Sequence, residues 1–215
     1  MTDGRDNAFS RHIKEHGILY AVIVIVFFIG VFLGSYVVKN LNSNQELELL
    51  KYLDLFLKGF QDWNVRPGVV AQHAVLNNLK VILTIWFFGL TVIGVPFVLL
   101  IVCARGFVMG FTIGFLVQQK AIQGILIALL AVLPPSIITL PALIVGAAVA
   151  ISFSNWMVRG RNKIENSSLL RHFAAYCTIM LLVVAFSAAG GLIEAYVSPT
   201  FIKLISNLSF GVFPK

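Results

Sequence analysis

Hydrophobic positions run along this chain in long blocks. Ile18–Val38, Leu79–Cys103, Gly106–Val117, Ala121–Phe153 and Phe173–Ile193 are apolar on nearly every face, and short polar stretches separate them. A bilayer core ~30 Å thick takes about 20 apolar residues at 1.5 Å each, so the blocks predict membrane spans. The expected fold is all-α, a polytopic integral membrane bundle of five transmembrane helices in a single domain, 1–215. The spans fall at about 18–38, 79–103, 106–119, 121–154 and 173–193, the fourth broken by prolines, with one outer amphipathic helix at about 44–62.

Within the blocks the small residues are in register. Gly30 and Gly34 are four apart, as are Gly106, Gly110 and Gly114, and then Ala142, Gly146 and Ala150. Residues at i and i+4 share a helix face. In lipid, where helices have little hydrophobic drive to associate, such faces let backbones approach closely. These glycines are predicted helix-packing positions. Pro134 and Pro135, with Pro141 beyond, interrupt the fourth block and are predicted to shape the packing there. A broken helix inside a membrane needs protein or a water-filled cavity to satisfy the freed backbone groups. It can mark a transporter binding site or be a kink without function. The Gly106–Val117 stretch is too short for a full crossing. Either it sits in a locally thinned site, or Gln118-Gln119-Lys120 is buried among other helices.

The polar stretches set the orientation. Ser43-Asn44-Gln45-Glu46 fits a capping box that opens a helix. Leu47, Leu50, Leu53, Leu57 and Phe60 then fall on one face, and Lys51, Asp54, Lys58 and Asp62 on the other. That helix suits the membrane surface, the side of the bundle or a partner. Its charged residues Lys51, Asp54 and Lys58, together with Glu194 at the end of the last span, are the candidate partner-binding positions. Arg159, Arg161, Lys163 and Arg171 make 155–172 the most basic loop, which places it in the cytoplasm. Counting spans from there puts the inner turn at Ala104-Arg105, the N-terminus inside and the C-terminus outside. Pro199 is expected to stop the last helix, with a short surface-lying tail after it.

Composition sharpens this picture. Of 215 residues, 59% are hydrophobic and 12% charged, with mean hydropathy +0.92, which no soluble class matches. The net charge of +7 is spread over several loops, without a basic patch interleaved with aromatics, which argues against nucleic acid. Cys103 and Cys177 lie in apolar runs and read as packing residues. His12 and His16, four apart, lack a third metal ligand and read as interfacial. The chain shows no HExxH, GxSxG, CxxC or Walker loop and no paired carboxylates in its spans. No catalytic, cofactor or metal site is expected, and Arg105 and Glu194 read as interface residues.

Several stretches together carry a resemblance. They are Leu76-Asn77-Asn78-Leu79-Lys80, the Gly89, Gly94 and Pro96 spacing, Arg105-Gly106 with Gly110-Phe111-Thr112 and Gly114-Phe115, Val132-Leu133-Pro134, and Glu194-Ala195 with Pro199. In order and spacing the chain resembles the stage II sporulation protein M family from Ile18 to Pro199. Arg105 where broader members carry Asn, and no acid near Thr139, resemble the sporulation branch. The resemblance implies a non-enzymatic scaffold of forespore engulfment in the mother-cell or septal membrane. Its implied partners are a lytic transglycosylase and an amidase/endopeptidase that degrade peptidoglycan, along with membrane lipid. A homo-oligomer is left open. The competing expectation is a small permease or transporter subunit, with Gln118, Gln119, Ser136 and Thr139 as its polar route.

Overall fold

The computed structural model describes residues 3–61, 67–91, 93–160 and 166–209. These form the helices α1 (Asp3–Lys39), α2 (Ser43–Gln61), α3 (Pro67–Gly89), α4 (Gly94–Gly160) and α5 (Asn166–Ser209). Among the described residues, four stretches are long and apolar enough to cross a membrane: Gly17–Lys39 of α1, Gly94–Gln119 and Pro134–Val158 of α4, and Leu170–Ala195 of α5. The chain is a multi-pass helical membrane protein. α3 has the length, at 23 residues. Its Gln72, His73, Asn77, Asn78 and Lys80 set it apart from those four by hydropathy.

Several boundaries differ from the sequence expectation. The run 79–103 is not one span. It ends α3 at Gly89 and begins α4 at Gly94, with a turn between. Thr91 N donates to the Phe88 carbonyl, Gly94 N to the Thr91 carbonyl, and Thr91 Oγ1 again to Phe88. Ser154 Oγ from the far end of α4 donates to the Thr91 carbonyl at 2.9 Å. These bonds pair the Phe88 and Thr91 carbonyls, so the turn needs no polar side-chain run to mark it. The turn expected from the sequence at Ala104-Arg105 therefore lies here, and Ala104-Arg105 is mid-helix. α4 stays helical through Pro134, Pro135 and Pro141. Its reversal comes earlier, where Gly124 packs on the Leu116 carbonyl. Those two positions would stand about 12 Å apart along a straight helix. α4 is thus two antiparallel arms, folded at the polar Gln118-Gln119-Lys120. α5 continues past Pro199 to Ser209. At the start of α2 the cap is shifted by one residue: Gln45 Oε1 accepts from Asn42 N at 3.2 Å.

The glycines determine how α1 meets the first arm of α4. Gly106 packs on Phe27, Gly110 on Val31 and Gly114 on Ser35, so the two helices run parallel in four-residue register. Gly30 and Gly34 fill the alternate levels, against the Cys103 and Phe107 carbonyls. A Cβ at Gly30, Gly34, Gly106 or Gly110 would overlap backbone of the neighbouring helix, leaving no flexible side chain to give way. The second arm of α4 packs on α5 through Gly146 against Val183 and Gly190 against Thr139, and α5 meets α3 where Gly191 touches Val75. Between them sits the apolar core, with Ile23, Ile85, Val98, Val102, Ala147, Ile151 and Met180 buried. Phe153 stacks on Tyr176 at 4.4 Å, and Tyr176 donates its hydroxyl to the Trp86 carbonyl at 2.8 Å. This core occupies the half of the bundle nearest the 90–93 turn and closes it.

Candidate functional site

Arg105 stands in the middle of the first arm of α4. Its neighbour Gly106 packs on Phe27, near mid-height of the Gly17–Lys39 span. About 16 Å of helix separates it from Gly94 and about 21 Å from Gln119. Arg105 therefore stands near the middle of the candidate span Gly94–Gln119, not at the end of a span as expected from the sequence. A charge at that depth costs roughly 2.5–3.5 kcal/mol even on insertion-derived scales, and such residues face the bundle interior and pair.

Its partner comes from α3. Asn78, only 4% exposed, accepts from Arg105 Nη2 on its Oδ1 at 2.8 Å and donates its Nδ2 to Glu194 Oε2 at 3.1 Å. One carboxamide thus links a cation on α4 to a carboxylate on α5. An amide suits this place because it offers a donor and an acceptor side by side. Glu194, considered as a partner contact on sequence grounds, is half-buried and turned onto Asn78.

The three residues line a cavity of about 230 Å³ between the arms of α4, α3 and α5. Thr112, Ser136, Thr139 and Ser187 add hydroxyls to its wall. Thr112 Oγ1 donates to Val108, Ser136 Oγ to Val132 and Thr139 Oγ1 to Pro135, each to its own helix at i−4. The hydroxyl oxygens keep acceptor capacity for the cavity. Pro134 and Pro135 have no N–H to donate, so the helix leaves the Leu130 and Ala131 carbonyls without their usual donors. Pro135 and Val132 are on the cavity wall, where a wet space can serve such groups. Ile82, Leu140 and Leu143 form its apolar end, and the packed core follows. The polar lining is a dead end on that side.

The other candidate positions are scattered. Gln118 lines a separate groove of about 520 Å³ with Ser35, Lys39 and Gly114. Gln119 Nε2 donates to Glu46 Oε1 and ties α2 to the end of the first arm. Lys51 is exposed on α2, as are Tyr52 and Leu55, while the side chains of Asp54 and Lys58 lie outside the described residues, as do those of His12 and His16. Ser136 and Thr139 are the two members of the expected polar route that reach the cavity.

Sequence reasoning missed Asn78 and the Arg105–Asn78–Glu194 assembly. The signal was present, because Asn78, Arg105, Val132 and Glu194 each come from a different stretch that carried the family resemblance. Their convergence on one cavity needed the fold. In comparison with known proteins, a family model described as stage II sporulation protein M matches residues 23–199. No curated protein and no solved structure matches the chain.

Proposed function

The chain belongs to the stage II sporulation protein M family, and from that premise we propose that it is the membrane scaffold of forespore engulfment. In this reading it is non-catalytic. It holds a lytic transglycosylase and an amidase/endopeptidase at the mother-cell or septal membrane, where they degrade peptidoglycan. α3 is the fifth crossing, the N-terminus is cytoplasmic, and α2 and the C-terminus lie outside.

The observation that carries the proposal is α2. It is an amphipathic helix set beside the bundle, attached through the Glu46–Gln119 hydrogen bond and a small contact with α5. Lys51, Tyr52 and Leu55 point away from the bundle. Among its described residues, these exposed side chains are available to membrane and partner. The test is co-purification from sporulating cells in mild detergent. The parent should bring down both peptidoglycan enzymes. Lys51→Glu, Asp54→Lys and Lys58→Glu combined should leave the protein inserted but weaken recruitment and stall engulfment. Unchanged recruitment and completed engulfment would confine α2 to membrane anchoring.

The permease reading draws on the polar cavity. Against it stands the packed core, with Ile85, Val98, Val102 and Met180 beneath the cavity's apolar end. That arrangement suits a site that holds something better than one that passes it through.

A further inference from the structure

We propose that the cavity between the arms of α4 binds a zwitterionic head, an ammonium and an anionic group in one small unit. Arg105 receives the anionic part and Glu194 the ammonium. Three observations lead there. Asn78 engages one of the five N–H groups of Arg105 and one of the two carboxylate oxygens of Glu194. Among the described residues no buried side-chain polar atom lacks a partner. The remaining charged groups of the pair are therefore solvated by the cavity they line. Finally, the carboxamide of Asn78 stands between the two charged side chains, and the cation and the anion line one space.

That geometry selects the ligand class. A simple anion would meet Glu194, and a simple cation would meet Arg105. A head carrying both charges meets each with its opposite and leaves the already balanced site neutral, as a low-dielectric environment requires. The space of about 230 Å³ has room for a group several waters in size. Access is lateral as well. Val108 and Thr112 line the cavity and are exposed at the outside of the bundle, the surface that faces acyl chains. The same chemistry occurs in an aminophospholipid head and in a free zwitterion such as glycerophosphoethanolamine.

Native mass spectrometry of the full chain tests this in mixed micelles holding equal phosphatidylethanolamine and phosphatidylglycerol. Melting with free glycerophosphoethanolamine runs in parallel. The parent should retain phosphatidylethanolamine over phosphatidylglycerol by about tenfold, a difference of about 1.4 kcal/mol. Arg105→Gln and Glu194→Gln should each abolish the preference. Ser136→Leu keeps both charges but fills the cavity, and it should abolish retention without relying on the fate of the charge variants. A rise in melting temperature with free glycerophosphoethanolamine would assign the site to a soluble zwitterion. Lipid retention without that rise would assign it to the lipid. Equal retention of phosphatidylethanolamine by the parent and all three variants overturns the proposal. So does a phosphatidylglycerol preference that Arg105→Gln alone removes.

Discussion

Replacing Asn78 by leucine is the sharpest test of the polar centre. Asn78 is buried and makes two hydrogen bonds, each to a charged group. Hydrogen bonds to charged groups contribute about 1.5–3 kcal/mol each, which sets a ceiling of roughly 3–6 kcal/mol. Part of that is recovered, because Arg105 and Glu194 both face the cavity and water can replace the amide. We expect a net loss of about 2–4 kcal/mol. At roughly 2–4 °C per kcal/mol for a chain of this size, melting in mild detergent should fall by about 4–16 °C. The cost arises from stranding a cation and a carboxylate, not from losing an amide. Removing all three polar residues together should therefore cost less than the sum of the single changes. The measurement is detergent melting of Asn78→Leu, Arg105→Leu, Glu194→Leu and the triple variant. If Asn78→Leu melts within about 1 °C of the parent, or if the single penalties simply add, the three residues do not act as a unit.

Gly110→Ile would drive a branched side chain into the Val31 backbone. It should lower melting or accumulation by more than Gly17→Ile, whose Cβ has open space around it; equal effects would place the glycine face against lipid. In a background without Cys103 and Cys177, Ser43→Cys should react with an impermeant thiol reagent in intact cells and Ser167→Cys should not, and the reverse pattern overturns the proposed orientation.

The length and all-round apolarity of its blocks already make this chain a helical membrane protein, because no soluble fold can bury so much hydrophobic surface. The four-residue spacing of Gly30, Gly34, Gly106, Gly110 and Gly114 likewise marks faces of close approach, since helical periodicity alone puts those positions in line. The helix expected at 44–62 is also legible, found at Ser43–Gln61, because its periodicity is local; its cap falls one residue earlier than expected, at Asn42 with Gln45. Where the chain turns is not. The turn between Gly89 and Gly94 leaves no dip in hydropathy, because Thr91 and Ser154 satisfy it across 63 positions of sequence. Hydropathy likewise reads Arg105 as a boundary, since a charge between apolar runs looks the same whether it ends a helix or sits within one. Only tertiary structure distinguishes the two. It brings Asn78 from 27 positions away and Glu194 from 116 positions beyond Asn78, and long-range pairing of that kind makes a charge tolerable in the middle of a bilayer.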